Sequence, residues 1–236
     1  MPITQVLLTT ALSGGGALLG SIPVADFTIE WWQKVENNSN NARPWSVGLY
    51  PTQIISLSYE GMISDYFWLN SNWIGFAAQN HTGAGWRHMA YVRNNATVKG
   101  YLNGSLYTTA YGADQPITDT STPLYVGTGD LAAGTYKGYI TDLHIIKGVA
   151  KYTENFVPQS SPITSQTGSV FLLSAVDDTL KYVDSVGGKS STLTGTVSWN
   201  SDSPYVGSPN GSVYFDGGSY LDYGASVDWA MDVTPP

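Results

Sequence analysis

Apolar and polar side chains alternate along most of this chain, and Gly, Pro, Asn or Asp cut the alternation every few residues. Successive side chains of a strand point to opposite faces, so a period of two builds half-buried sheets and argues against a helical bundle. Phe27, Ile29 and Trp31 share one face, with Thr28, Glu30, Trp32 and Lys34 on the other. Trp86, His88, Ala90 and Val92 likewise oppose Arg87, Met89, Tyr91 and Arg93. Further strands are expected near 45–50, 54–59, 65–69, 73–78, 97–102, 105–110, 123–127, 135–146, 169–175, 192–198, 211–215 and 219–223. This is the rhythm of an antiparallel sandwich, which at 236 residues can be one large domain.

Local chemistry sharpens that reading. Asn103-Gly104 suits a two-residue hairpin turn because both residues accept positive φ, and Asn94-Asn95 predicts a second tight turn. In YKGYITDLHII the apolar parity shifts: Ile140 falls on one phase, Leu143 and Ile145 on the other. One extra residue near Thr141-Asp142 restores the faces, so a β-bulge is expected there. Residues 149–155 are the single stretch expected to make a short helical turn. PQSSPITSQTG at 158–168 has a linker's composition. Gly14-Gly15-Gly16 lacks the Lys and helix of a phosphate cradle and is expected to be a turn.

Composition excludes several functions. Apolar residues make up 42%, enough for a core, while charged residues are only 12%, about half the usual share. The surface is therefore coated with Ser, Thr, Asn, Gly and Tyr. Ten scattered basic residues within a net charge of −8 argue against nucleic acid and anionic membranes as partners. Cysteine is absent, so disulfides and thiolate metal sites are unavailable. No run of eighteen apolar residues is present, and ITQVLLTTAL lacks the positive start of a secretion signal. Sequons at Asn37, Asn80, Asn95, Asn103 and Asn210 matter only on a eukaryotic secretory route.

Three phrases, in this order, carry a family resemblance: FTIEWWQK at 27–34, WRHMAYVRNNATVKGYLNG at 86–104, and YVGTG at 125–129 followed by YKGYITDLHIIKGVAKYTENF at 136–156. Together they resemble the concanavalin A-like jelly-roll domains of the laminin G type. The resemblance implies an all-β, two-sheet antiparallel jelly-roll sandwich. YFDGGSYLDYG at 214–224 resembles a phrase that in this family precedes FTIEWW, whereas here it comes last. Two organisations follow. Residues 1–157 form the main sandwich, 158–168 a linker-like segment, and 169–236 complete the same sandwich as in a circular permutation, since joining Val233 to Phe27 would reproduce the family order. Alternatively, 169–236 open a second domain. KGVAKYTENFVP at 147–158 is similar to such modules in phage and giant-virus structural proteins. That similarity implies a place on a virion surface among other virion proteins, with an extracellular setting as the alternative and a homo-oligomer allowed.

The chemistry-bearing residues point to recognition. Glycoside hydrolysis needs two carboxyl groups flanking the bond. The glutamates Glu30, Glu36, Glu60 and Glu154 show none of the paired spacing that hydrolases of this fold use, so a hydrolase is the least favoured reading. His81, His88 and His144 occur singly, without a nucleophile elbow. The resemblance allows a calcium ion, with Asp142 and Asp216 at positions where the family carries acids. Neither sits in a local calcium loop. Sugars pack their C–H faces on aromatic rings and hydrogen-bond to Asn, Asp, Gln and Tyr. Aromatics and asparagines coincide in YFWLNSNW, which makes Tyr66, Trp68, Asn70, Asn72 and Trp73 the expected ligand contacts. The expected function is a non-catalytic module for a glycan or host surface. The alternative is a structural decoration protein.

Overall fold

The computed structural model describes residues 24–36, 42–59, 65–70, 72–75, 85–132 and 135–233. The expected sites Asn37, Asn80, His81, Glu60 and Gly14–Gly16, and residues 76–78 of one expected strand, lie outside them. Fifteen strands, β1 to β15 in chain order, form two antiparallel sheets among the described residues. The first runs β13 (Val197–Asn200), β14 (Ser212–Asp216), β10 (Lys137–Lys147), β1 (Phe27–Val35), β6 (Arg87–Asn94), β7 (Thr97–Leu102) and β8 (Ser105–Tyr111), with β11 (Ser169–Leu173) also paired to β10. The second runs β12 (Thr192–Thr194), β15 (Tyr220–Ala225), β9 (Pro123–Val126), β2 (Trp45–Val47), β3 (Ile55–Tyr59), β4 (Asp65–Leu69) and β5 (Asn72–Gly75). This is the expected jelly-roll sandwich.

The core lies where the inward parity of the two sheets meets. Phe27, Ile29 and Trp31 of β1 face Trp45 and Val47 of β2, Leu57 of β3 and Phe67 of β4, all fully buried. Trp31 stacks on Tyr91 at 5.9 Å and meets the edge of Trp45 at 5.7 Å. The C-terminal strands join the same layers. β11 and β14 pair with β10, β15 pairs with β9, and β12 pairs with β15.

The bulge sits where the parity shift placed it. Glu30 pairs with His144 and Trp32 with Thr141, so β10 carries one extra residue opposite Trp31, and Asp142 takes a φ of 52°. Ile140, Leu143 and Ile145 all reach the core as a result. Asn103 and Gly104 both have positive φ, as the hairpin reading required. The neighbouring turn is shifted by one residue. Asn94 still pairs with Thr97, and the turn is Asn95-Ala96 with positive φ at Asn95. The expected strand 192–198 is two strands in different sheets. The chain crosses between layers at Gly195, whose φ of 72° and close approach to Ser219 and the Gly218 carbonyl leave no room for a side chain.

Residues 149–155 do not form the expected helical turn. Their backbone is tied to the sheet instead: the Lys151 N–H donates to Thr28 Oγ1 at 2.9 Å, and Thr28 Oγ1 donates to the Val149 carbonyl at 2.9 Å. The strap continues through 158–168, where Ile163 is buried and Lys147 N–H donates to the Gly168 carbonyl.

Candidate functional site

On β4 the alternation places Phe67 and Leu69 in the core and leaves Tyr66 and Trp68 half-exposed on the outer face of the second sheet. The Trp68 indole donates to Ser58 Oγ at 3.2 Å. Ladder pairing sets Tyr66 beside Ser58, Trp68 beside Ser56, and Trp73 opposite Trp68. Tyr66 and Trp68 therefore share one side of the ladder, and Trp73 holds the register position paired with Trp68. Asn70 builds the turn between the strands. Its φ is 47°, its N–H donates to the Ile54 carbonyl at 2.6 Å, and its Nδ2 donates to the Pro116 carbonyl at 2.7 Å. Asn72 takes the register position opposite Leu69.

The same ladder row continues from Trp68 through Ser56 and Ser46 to Tyr125, which packs edge-on to Tyr220 at 6.0 Å. Its middle is roofed. Ser46 and Ser56 are fully buried, and Arg43 donates to the Gly129 carbonyl at 2.8 Å above Ser46. Ring surface is thus offered at the two ends of the row.

The outer face of the first sheet holds a buried ionic cluster centred on Glu30. Its carboxylate accepts from Lys151 Nζ at 2.6 Å and Tyr152 OH at 2.7 Å, and meets His144 Nδ1 at 3.1 Å and His88 Nε2 at 3.4 Å. Burial alone would raise its pKa, but the hydrogen bonds of His144 and His88 and the charge of Lys151 outweigh burial and hold it far below the usual range. His144 Nε2 in turn meets Ser169 Oγ at 2.6 Å, and that oxygen accepts the Gln166 N–H at 2.8 Å. Two histidines that looked solitary in the sequence are therefore joined by one carboxylate. The clue was a polar outward parity, Thr28, Glu30 and His88, in strands otherwise rich in apolar residues. The cluster pins the strap, whose Tyr152 and Phe156 rings stack at 3.5 Å over Ala90, Val92 and Tyr101.

The two expected calcium ligands stand apart. Asp216 pairs with Lys137, five residues along β10 from Asp142, or roughly 16 Å at strand rise. Asp216 Oδ1 accepts the Gly218 N–H at 2.9 Å in the Asp-Gly-Gly-Ser turn. Asp142 is fully buried, and its Oδ2 accepts from the Ile163 N–H and the Tyr205 hydroxyl. Among the described residues, no three His, Cys, Asp or Glu side chains are grouped to hold a metal ion.

No curated protein matches the chain by sequence. A crystal structure from Bacteroides ovatus ATCC 8483, provisionally assigned as a carbohydrate binding protein, superposes with a TM-score of 0.50 at 16% identity over 83% of this chain and 53% of that one. This chain thus spans about half the length of that structure. A native heptameric SAP-like pentraxin from Limulus polyphemus aligns at 15% identity with a TM-score of 0.36, over 55% of this chain and 72% of the pentraxin. At such identities the likeness is one of fold. A family model described as concanavalin A-like lectin/glucanases superfamily matches residues 13–154, a span that ends just past β10 and takes in the central strands of both sheets. The chain belongs to the concanavalin A-like lectin/glucanases superfamily.

Proposed function

We propose that this chain is a non-catalytic glycan-recognition module of a virion surface, with Tyr66 and Trp68 as its ring contacts. The observation that carries the proposal is their placement: two half-exposed rings at alternate positions of one strand, on one face. Such a pair offers flat apolar surface on which sugar C–H groups can pack. Trp73 pairs in register with Trp68, and Asn70, with a φ of 47°, follows β4 directly. The fold likeness to a structure provisionally assigned to carbohydrate binding supports this reading. The virion setting is supported by the similarity of KGVAKYTENFVP to phage and giant-virus modules. Glu30, taken up by four donors, is poorly suited to general acid chemistry.

Affinity electrophoresis through a panel of soluble polysaccharides tests the proposal. Retardation by at least one glycan, abolished in Trp68→Ala and weakened in Tyr66→Ala, is the expected result. Free migration of the wild type through every gel would overturn it. A second reading, assembly with other virion proteins, is favoured by edge strand β8, which exposes Leu106 and Tyr111 at 42% and 79%. Stable co-assembly with a capsid or tail subunit, lost in Tyr111→Lys, would establish that reading.

A further inference from the structure

Trp86, Lys34, Tyr139 and Tyr214 form one line across the first sheet, on the opposite side of the sandwich from Trp68. Lys34 pairs with Tyr139 and Tyr139 with Tyr214, while Trp86 immediately precedes β6, whose Arg87 pairs with Gln33. The line therefore crosses the strands at right angles and covers three strand spacings, roughly 14 Å. The strap closes one end of this face, and Tyr205 packs on Trp32 in its middle. At the remaining end all four side chains of the line are half-exposed.

The rings form a stepped surface. Trp86 and Tyr139 have centroids 6.3 Å apart with planes at 61°, and Tyr139 and Tyr214 are 4.8 Å apart at 46°. Around them lies a hydrogen-bonding rim. Lys34 Nζ is 2.6 Å from Asp202 Oδ2, the Trp86 indole donates to Asp202 Oδ1 at 3.1 Å, and the Tyr214 hydroxyl donates to Glu36 Oε2 at 3.3 Å. Lys137 Nζ stands 3.6 Å from the same glutamate oxygen.

We propose that this row is a second glycan platform, shaped for one soluble chain of a neutral polysaccharide whose hydroxyls are equatorial. Equatorial substitution leaves the flat C–H faces of each sugar free to lie on rings, and the hydroxyls then project sideways to Asp202, Glu36 and Lys34. Both cations of the rim are paired with carboxylates, and the exposed Asp216 beside Lys137 adds a further negative charge, so the row does not attract an acidic chain. The tilt between successive rings matches sugars that turn along a free chain and mismatches a flat crystalline face. With Tyr66 and Trp68 on the other sheet, one module would bridge two glycan chains. The row stands independently of those two residues.

The test uses the full chain in affinity gels and titration calorimetry with hydroxyethyl cellulose and xylan, heparin and alginate as acidic probes, and pull-down on microcrystalline cellulose. Trp86→Ala, outside any strand, and Tyr214→Thr, which keeps a strand-favouring residue, are compared with Trp68→Ala after thermal melts confirm folding. The expected result is binding to a neutral soluble polymer that weakens on the order of tenfold in each row variant. Unchanged affinity in Trp86→Ala and Tyr214→Thr overturns the second platform, while loss in Trp68→Ala alone leaves the first site standing. Loss in the row variants with unchanged binding in Trp68→Ala supports the platform and overturns the first site. Binding confined to heparin, alginate or crystalline cellulose, or no binding at all, also overturns the platform.

Discussion

Arg93 and Asp232, 139 residues apart in sequence, form a buried ion pair in which one guanidinium nitrogen, Nη2, reaches both carboxylate oxygens at 2.9 and 2.7 Å. The same carboxylate accepts the backbone N–H groups of Ala25 and Ile117, and Arg93 Nε donates to the Ala25 carbonyl at 2.8 Å. Arg93 also lies over the Phe27 ring at 4.8 Å. The end of the described chain is thereby fastened to the residues that enter β1. Removing one partner of a buried pair leaves the other charge desolvated and uncompensated. Asp232→Ala is expected to lose about 3–5 kcal/mol in urea denaturation, and a loss under about 1 kcal/mol would contradict this role.

Pairing of the C-terminal strands leads to a second expectation, concerning domain organisation. β10 is flanked by β11 and β14, which come from the C-terminal third, and β15 lies between β9 and β12. Breaking the chain within 158–168 removes one covalent link and none of these ladders. We therefore expect a protease-nicked protein to run as one species on native sizing and to separate only in denaturant. Two independently folded fragments would instead support the second-domain reading.

What the sequence made legible, and what it hid, divides along physical lines. Strand positions followed from parity, and even the bulge at Asp142 was visible because an extra residue must appear wherever Ile140 and Leu143 both reach the core. The Asn103-Gly104 turn was visible because few residue pairs tolerate positive φ. The Glu30 cluster was not, since it joins β1, β6, β10 and the strap, and no local pattern reports which strands become neighbours. Residues 149–155 looked helical in isolation and were held extended by Thr28, a long-range partner. Of the expected site, Tyr66 and Trp68 were readable from alternation. The turn role of Asn70 depended on the Ile54 and Pro116 carbonyls, which are distant in sequence. The line of Trp86, Tyr139 and Tyr214 was scattered along more than half of the chain and came together only through ladder register.

Gly104 and Gly112 offer an internally controlled comparison. Both have a φ of 78°, so an alanine at either must adopt the left-handed region. A Cβ at Gly112 meets nothing within 4 Å, whereas one at Gly104 falls 1.8 Å from the Phe156 carbonyl oxygen. The Phe156 N–H also donates to the Gly104 carbonyl at 2.9 Å, so the hairpin tip is a docking point for the strap. Gly112→Ala should cost about 1 kcal/mol, and Gly104→Ala measurably more, with faster hydrogen exchange across 150–157. Equal melting temperatures for the two variants would show that the strap does not depend on this contact.

Asp142 gives the protein a pH dependence whose sign can be worked out. Burial pushes its carboxyl up to about 7, and the hydrogen bonds from Tyr205 and Ile163 offset burial only in part, with the nearby Glu30 charge adding to the rise. Its Oδ1 is buried without a hydrogen-bond partner, which suits a protonated acid better than a carboxylate. Because the folded value lies above the unfolded one of 3.8, the fold holds the proton more tightly than the unfolded chain does. The stabilisation is full below the unfolded value and is lost as pH rises through about 7. Asp142→Asn keeps an oxygen for Ile163 and Tyr205 and cannot ionise. Between about pH 5 and about pH 8 the wild type should therefore lose a few kcal/mol relative to the variant. Urea denaturation of both proteins at the two pH values is the measurement, and a difference that stays constant between them would mean that the acid is already ionised in the fold.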